Sequence, residues 1–266
     1  MLVLIKGAGD LATGTAIRLY RAGLQVVMTD LALPTAVRRT VAFCQSIYDG
    51  STQVEGITAR RVDGPVQAAL CLERGEVPVL VDPKAAILGA LPFDAVVDAI
   101  LAKKNLGTTL RDAPTVLALG PGFTAGVDCH GVVETMRGHD LGRLLTHGSA
   151  LPNTGVPGDI GGYTGQRIIR ASADGMFAPV AAIGQVVQTG DVVARVEGCP
   201  VIAQMPGMVR GMLPAGLQVT RGMKAGDIDP RCRYEHCWTV SDKARAIGGG
   251  VLEGLLYFEY HRRTKD

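Results

Sequence analysis

The sequence predicts an α/β protein in which a parallel sheet with flanking helices is joined to a small β-rich module and a C-terminal helix. Three observations predict it: short apolar runs alternating with helical stretches, a glycine-rich turn directly after the first run, and apolar–polar alternation beyond residue 170. We expect a Rossmann-like domain over 1–110, a central glycine-rich α/β segment over 111–170, the β module over 171–232, and a helical segment over 233–266 that packs back on the body.

Composition limits the class of protein. Of the 266 residues, 47% are apolar and 20% are charged, which is typical of a globular chain rather than a disordered one. The net charge of +2 argues against a general nucleic-acid binder, which normally carries a large basic excess. No apolar stretch approaches the roughly 18 residues that span a bilayer, and the N-terminal run is too short for a signal peptide. We therefore expect a cytoplasmic protein with no membrane partner.

The first element is a buried strand over 2–5, followed by a turn that fits G-x-G-x-x-A. In this dinucleotide fingerprint Gly7 permits the sharp turn, and Gly9 lets backbone N–H groups approach a pyrophosphate. Ala12 lets the following helix pack closely against the strand. The sequence therefore predicts cofactor binding at this turn.

The second element is a helix, and the third is a strand over 24–28 that is closed by Asp30. Asp30 lies about where such folds place the acid that binds a ribose hydroxyl, and we include it among the cofactor-binding residues. Asp10 is ambiguous, because a carboxylate at the mouth of the turn repels a pyrophosphate or satisfies the helix N terminus itself. A turn of this type that holds no nucleotide stays open as an alternative.

Later elements continue the α/β pattern. Strands are predicted over 77–82, 93–98 and 115–119, and a helix over 37–43. The strand over 115–119 runs into a loop that contains Gly120 and Gly122. Because a loop after a buried strand is a favoured place for a site, both glycines are predicted to contact the cofactor.

A metal or thiol site is not favoured. The six cysteines form no C-x-x-C pair, so neither a zinc ribbon nor a redox dithiol is indicated, and we expect free thiols. Cys129 and His130 are adjacent and point to opposite faces of a strand, and His139 matches no metal spacing. Cys129 as a nucleophile assisted by a histidine stays a minor alternative.

The β module repeats a pattern of short strands around glycine turns, first near Gly190 and again near Gly222. The segment 187–193, with V-x-x-G-D-x-V, and Pro206-Gly207 resemble the barrel-sandwich hybrid of biotinyl and lipoyl domains. The tip between the two halves reads Glu-Gly-Cys-Pro over 197–200 and has no lysine to carry a cofactor. The resemblance therefore implies a structural or docking role.

The last element is a helix for which Ser241 is the expected N-cap. Three successive glycines, 248–250, are costly inside a helix, at about 1 kcal/mol each. They imply either close backbone packing, for example against the first domain, or a ligand.

Motifs from the start to the end of the chain together resemble the selenium-dependent molybdenum hydroxylase accessory proteins, the YqeB family. They are Lys6-Gly7-Ala8-Gly9-Asp10-Leu11-Ala12-Thr13-Gly14, 37–43, 120–123, 128–130, 152–155, 227–231 and 241–250.

The resemblance implies a factor for the maturation of such a hydroxylase, with the apo-hydroxylase as its partner. The cofactor stays open between NAD(P) and the molybdopterin cofactor, and homo-oligomerisation also stays open. Three functions stay open. The first is a maturation factor that binds a nucleotide- or phosphate-bearing cofactor at the Gly7–Ala12 turn. The others are an NAD(P)-dependent oxidoreductase and a non-catalytic scaffold with an empty turn. Whether the chain is an enzyme is therefore undecided. Asp30 would favour NAD over NADP, but no Tyr-Lys or His-Asp catalytic pair is evident.

Overall fold

The computed structural model describes residues 1–264 and divides into two compact units. Unit 1 comprises Met1–Pro34, Ala42–Thr154 and the chain from Val240 onward, and unit 2 comprises Thr35–Val41 and Gly155–Thr239. The predicted α/β class, with a large sheet and a C-terminal helix, is confirmed.

Unit 1 is built on one nine-stranded sheet. Its strands are β1 (Leu2–Lys6), β2 (Gln25–Asp30), β3 (Ser51–Val54), β4 (Ile57–Val62), β5 (Val77–Val81), β6 (Ala95–Asp98), β7 (Thr115–Leu119), β8 (Gly131–Val133) and β9 (Leu144–Leu145). Its helices are α1 (Asp10–Arg21), α2 (Gln45–Asp49), α3 (Pro65–Glu73) and α4 (Asp242–Arg263), with a 3-10 turn at Ala86–Gly89.

The sheet order is β3-β4-β5-β2-β1-β6-β7-β8-β9. The seven central strands run parallel, and β3 and β9 pair antiparallel at the two edges. The chain builds one half of the sheet from β1 through β5 and then crosses to the other side of β1 to add β6. Strands β7 to β9, from the predicted central segment, extend this same sheet.

Both faces of the sheet are covered, which explains its continuous apolar strands. On β7, Val116 and Ala118 belong to a buried cluster that includes Ala68 of α3. Leu117 points the other way, where its side chain lies against Gly254 of α4. Alternate residues therefore face opposite helical layers.

Helix α4 begins as predicted, because the Ser241 hydroxyl accepts the Ala244 N–H at 3.1 Å. The helix packs closely against α1. A Cβ atom placed on Gly14 would lie 2.6 Å from the Cβ of Ala244, and one on Gly248 would lie 3.0 Å from the Gly14 carbonyl oxygen. Close backbone packing therefore accounts for Gly248.

Unit 2 is a β structure. Its strands are β10 (Ile168–Arg170), β11 (Gly175–Pro179), β12 (Val186–Val187), β13 (Val192–Val196), β14 (Cys199–Ile202), β15 (Gly207–Met212), β16 (Gln218–Val219) and β17 (Lys224–Asp229), with 3-10 turns at Arg39–Val41, Gly165–Arg167 and Tyr234–Cys237. They form two four-stranded sheets, β10-β17-β15-β12 and β14-β13-β11-β16. Buried aliphatic side chains and Phe177 fill a common core.

The two predicted repeats occupy related positions in these sheets. In the first repeat, β12 lies in one sheet and β13 in the other, with Gly190 at φ +95° between them. In the second repeat, β16 and β17 exchange these roles around Gly222 at φ +83°. Left-handed φ values at both turns explain why glycine recurs there.

The helix predicted over 37–43 is wrong. Only Arg39–Val41 forms a short 3-10 turn. The carbonyl oxygen of Val37 accepts the Met212 N–H at 2.7 Å, so a carbonyl that a helix would use internally pairs with β15 instead.

Within residues 1–264, no helix combines the length and apolar character that a membrane crossing requires.

Candidate functional site

The predicted glycine turn lies at the carboxyl end of β1, beside the place where the strand order reverses. β1 pairs with β2 on one side and with β6 on the other. Open α/β sheets place ligands in the crevice at such a reversal. The loops that follow β1, β2 and β6 therefore define the candidate site.

Gly7 makes the sharp turn that the sequence predicts. Its φ is +94°, and its N–H donates to the Thr29 carbonyl oxygen at 2.8 Å. A Cβ on Gly7 would lie 2.8 Å from the carbonyl oxygen of Ala99. Only glycine combines this conformation with such a close approach of the loop after β6.

Gly9 is the N-cap of α1, and its surroundings differ from those of Gly7. Its φ and ψ of −70° and −174° suit any residue, no side chain caps the helix there, and a Cβ at Gly9 would meet no neighbouring atom within 4 Å. Ala12, by contrast, is fully packed. The first-turn amides of a helix lack intrahelical acceptors and carry partial positive charge, so this end of α1 is suited to an anion. Asp10, in the same turn, competes with any such anion.

Asp30 holds the turn from the end of β2. Its Oδ2 accepts the Ala8 N–H at 2.8 Å, and its Oδ1 accepts the Leu31 N–H at 2.7 Å. Burial raises the pKa of the Asp30 carboxyl above its ordinary value, although these two hydrogen bonds oppose the shift. One backbone N–H of the turn, that of Ala8, is therefore already hydrogen-bonded to a protein carboxylate, that of Asp30.

A segment between β2 and α2 lies against the turn, and sequence analysis missed it. The Cys44 N–H donates to the Ala8 carbonyl oxygen at 2.9 Å, and the Phe43 N–H donates to the Thr13 hydroxyl at 2.8 Å. Burial, together with the nearby charges of Asp30 and Asp10, raises the pKa of the Cys44 thiol well above its ordinary value. This thiol is poorly suited to act as a nucleophile.

A buried polar network beneath the turn was also missed. The Lys6 ammonium donates to the Asp112 carboxylate at 2.6 Å and to the Thr108 hydroxyl at 3.0 Å, and that hydroxyl donates to Asp98 Oδ2 at 2.6 Å. Burial raises the pKa of the Asp98 carboxyl, against the effects of its hydrogen bonds and of Lys6. The network anchors the loop after β6 to β1. Its sequence signals were a lysine that ends an otherwise apolar strand and Asp98 at the end of the strand predicted over 93–98.

Gly120 and Gly122 lie in the loop after β7. Gly120 has φ +74°, and a Cβ there would lie 2.5 Å from the Thr135 hydroxyl. Gly122 has φ +107°, and a Cβ there would lie 2.6 Å from the backbone nitrogen of Lys104. Close protein neighbours account for both glycines. Gly122 meets the same loop that lies against Gly7, so the sheet brings the two turns to one edge.

The central Cys–His pair is separated by the sheet. Cys129 is fully buried, and burial raises the pKa of its thiol to about 12. His130 Nδ1 accepts the Val116 N–H at 2.9 Å, and burial lowers its pKa. His139 is exposed. Across residues 1–264, no three His, Cys, Asp or Glu side chains gather as a metal site requires.

A cavity of about 330 Å³ opens at the carboxyl ends of β4 and β5. Asp63 and Asp82 line it with apolar side chains, and the N-cap of α3, Gly64, lies at its wall. Asp82 Oδ2 is engaged by the Ile87 N–H at 2.9 Å. Asp82, at the end of the strand predicted over 77–82, was the one sequence signal for this cavity.

Comparison with known proteins gives one strong sequence relative. No family model matches the chain. The uncharacterized protein YqeB of Escherichia coli K12 is 52% identical over 267 residues, which is consistent with the YqeB family; the chain spans about half (49%) of that protein's length.

The solved structures that align with 85% of the chain include the following two. One is an aspartoacylase family protein of Mesorhizobium loti MAFF303099, with 14% identity, 84% of that chain covered and a TM-score of 0.28. The other is a succinylglutamate desuccinylase/aspartoacylase of Rhodobacter sphaeroides, with 16% identity, 85% covered and a TM-score of 0.28. Similarity at this level carries no inference about fold or activity.

Proposed function

We propose that this chain is a cytoplasmic accessory factor for the maturation of a selenium-dependent molybdenum hydroxylase, and that unit 1 binds a nucleotide- or phosphate-bearing cofactor at the Gly7–Ala12 turn. The spread of family motifs along the chain supports the maturation role, and the identity with YqeB supports the family. The apo-hydroxylase is the proposed partner.

One observation carries the binding part of the proposal: α1 begins at Gly9 without a side-chain cap, and open space lies where a side chain would stand. A helix N terminus with exposed amides attracts phosphate oxygens. Gly9 needs no special backbone conformation, and no neighbour excludes a side chain there. A glycine at this place is therefore explained by the approach of a ligand better than by the packing of the protein.

The residues present fit a nucleotide in part. Each oxygen of Asp30 accepts one backbone N–H, which leaves about one further lone-pair site on each for a ribose hydroxyl. A carboxylate at this position disfavours the 2′-phosphate of NADP. A bound nucleotide would supply anionic phosphates to α1, while Asp10 would oppose them.

A second candidate is a scaffold whose turn holds no cofactor. The bond from the Ala8 N–H to Asp30 favours it, because the protein satisfies that amide by itself. The backbone of Ala99 against Gly7 also narrows the crevice between β1 and β6.

For unit 2 we propose the barrel-sandwich hybrid fold and a docking role toward the apo-hydroxylase. The two repeats, which place their strands in opposite sheets, support this fold. The tip between β13 and β14 turns through Glu197 and Gly198, at φ +47° and +79°. Because it carries no lysine, the module is proposed to dock a partner and not to carry a cofactor.

Titration of the purified chain with NAD⁺, NADP⁺, ADP and molybdopterin cofactor, followed by calorimetry, tests the proposal. We expect at least one of them to bind, and Gly9→Asn to weaken that binding at least tenfold. An asparagine is a preferred N-cap that fills the open space and engages the first-turn amides, so stability should stay the same or rise by a few tenths of a kcal/mol.

Gly64→Asn is the matched control, because Gly64 is also an N-cap without a side-chain cap and a Cβ there makes only an ordinary contact. It should leave binding unchanged. If the wild-type chain binds none of the four compounds, alone or with the apo-hydroxylase present, the proposed cofactor binding is wrong. The scaffold whose turn holds no cofactor is then the supported function.

A further inference from the structure

A charged cluster within unit 2 is independent of the glycine turn. Asp227 and Asp229 stand two residues apart on β17 and therefore point to the same face of the sheet. Arg167, at the end of a 3-10 turn, and Arg210, on β15, meet them there. All four residues are at least nine-tenths buried, with exposed fractions of 4%, 2%, 6% and 7%. Arg231 follows β17 and adds a third guanidinium.

A break in strand register places Arg210 in the cluster. Val209 pairs with Ile228 and Gly211 with Asp227, so Arg210 is the extra residue of a bulge in β15. Bulges redirect a side chain at the cost of regular pairing. Gly211 is required beside it, since a Cβ there would lie 2.9 Å from the Val37 carbonyl oxygen.

Asp229 is saturated with donors. Its Oδ1 accepts the backbone N–H and Nε of Arg231, at 3.0 and 2.9 Å, and its Oδ2 accepts Arg231 Nη2 and Arg210 Nη1, at 2.7 and 3.1 Å. A carboxylate offers about four acceptor positions, and all four are used. These bonds hold the pKa of Asp229 well below its usual range, against the effect of burial.

Asp227 does not accept all the remaining N–H donors of the arginines. Its carboxylate accepts Arg167 Nη2, at 3.0 and 3.4 Å, but Arg210 Nε stands 3.8 Å away, beyond hydrogen-bond range. The buried Nε atoms of Arg167 and Arg210 have no hydrogen-bond partner among the described residues, and neither has the buried Nδ1 of His236, 3.8 Å from Asp229. Buried N–H donors in native proteins are nearly always satisfied, so the two arginine Nε groups call for an acceptor.

We propose that this cluster is a binding site for a phosphate-class oxyanion. Three guanidiniums carry about fifteen N–H donors and two carboxylates about eight acceptor positions. The two buried arginines balance the two buried carboxylates, and the excess of one positive charge lies on Arg231 at the exposed rim. An oxyanion supplies both acceptors and charge, and arginine is the side chain best matched to it.

Entry is on the side of Arg231 and His236, whose side chains are 43% and 31% exposed. The side chains of Arg167 and Arg210 lie buried on the inner side of these two residues. Bonds from Arg167 Nη1 to the Gly158 carbonyl oxygen, at 3.1 Å, and from Arg231 to Asp229 fix the guanidiniums before an anion arrives. Such preorganisation reduces the entropic cost of binding.

Calorimetric titration of the full chain with inorganic phosphate, at constant ionic strength in chloride buffer, tests the site. We expect saturable binding to one site, and at least a tenfold loss of affinity in Arg210→Met. This variant should fold, because Asp229 keeps Arg231, Asp227 keeps Arg167, and a methionine of similar size replaces a buried charge. Arg231→Met, at the exposed rim, should also lower the affinity for phosphate, and this second test does not depend on a substitution in the core.

Arg195→Met is the matched control for net charge, since Arg195 is exposed on β13 in the same unit and bonds only the nearby Gly198 carbonyl oxygen among its described partners. It should leave phosphate binding unchanged. Parallel titrations with sulfate and ADP separate a free anion from the phosphoryl group of a larger ligand. Absence of saturable phosphate binding, or equal affinity in wild type, Arg210→Met and Arg231→Met, would overturn the proposal.

Discussion

At the scale of single residues, glycines that look alike in the sequence are required for different structural reasons. Gly7 is fixed by its φ of +94° and by the backbone of Ala99, whereas Gly9 has an ordinary conformation and open space beside it. The fingerprint predicts both positions but cannot separate them, because the distinction depends on the loop after β6, which follows more than ninety residues later. Asp30 was likewise predicted at the site, but its bond to the Ala8 N–H depends on how β1 and β2 align.

The cysteines give a prediction at this scale. Cys199 and Cys232 are exposed and the other four are buried. Burial also raises the thiol pKa of Cys71 to about 11 and of Cys129 to about 12, and it raises those of Cys44 and Cys237. Because the thiolate is the reactive form, we expect iodoacetamide at pH 7.5 to label only two sites in the native chain.

Peptide mass spectrometry reads out this labelling, and denaturation in urea is the control that should expose all six thiols. Rapid native labelling of Cys129 would show that the sheet opens around it, contrary to the packing of β7 and β8. A Cys199→Ser variant should lose one of the two labelled sites and leave the other unchanged.

At the scale of elements, periodicity and caps locate most of unit 1. The strands predicted over 2–5, 77–82 and 115–119 form within a residue or so of those bounds, and Ser241 caps α4. The helix predicted over 37–43 is wrong, because the Val37 carbonyl oxygen accepts the Met212 N–H of β15 and the Phe43 N–H donates to the Thr13 hydroxyl, so neither group is available to a helix. Pairing between distant segments overrides local propensity in such a case.

The three glycines of α4 give a prediction at this scale. Gly249 has no neighbour within 4 Å of its Cβ position, whereas a Cβ on Gly250 would collide with the Gly142 carbonyl oxygen. Gly249→Ala should therefore raise the free energy of unfolding by up to about 1 kcal/mol, through helix propensity alone. Gly250→Ala should lower it by about 1–3 kcal/mol, because overpacking outweighs the same propensity gain.

Urea denaturation of the two variants beside the wild type checks the pair, and each variant serves as the control for the other. Equal effects of the same sign would mean that α4 does not pack against the loop that contains Gly142. The triplet would then need another explanation, such as a ligand.

At the scale of the whole molecule, unit 2 is not one continuous piece of sequence. It includes Thr35–Val41 as well as Gly155–Thr239. Within the unit, Met212 N–H bonds to Val37 at 2.7 Å, Arg39 Nε to the Met212 carbonyl oxygen at 3.1 Å, and Arg38 Nη2 to the carbonyl oxygens of His236 and Thr239 at 3.0 Å. The short segment thus satisfies backbone groups that the rest of the unit cannot.

A fragment comprising residues 155–239 should consequently be less stable than unit 2 in the full chain, with the Met212 amide exchanging hydrogen faster. Fusion of residues 35–41 to the fragment through a flexible linker should slow that exchange again, and the same linker joined to a scrambled segment should not. If the fragment protects Met212 as well as the full chain does, the segment is dispensable for this unit.

The sequence by itself determined the α/β class, the order along the chain of five of the seven parallel strands, the capped C-terminal helix and the position of the glycine turn, because each depends on residues close together in the chain. Tertiary structure alone decided that Asp30 binds the turn, that Lys6 joins Asp112 and Thr108, and that Arg167 and Arg210 meet Asp227 and Asp229. Those groups come from segments up to about a hundred residues apart. Their meeting depends on strand order, register and a single bulge, which local periodicity does not encode.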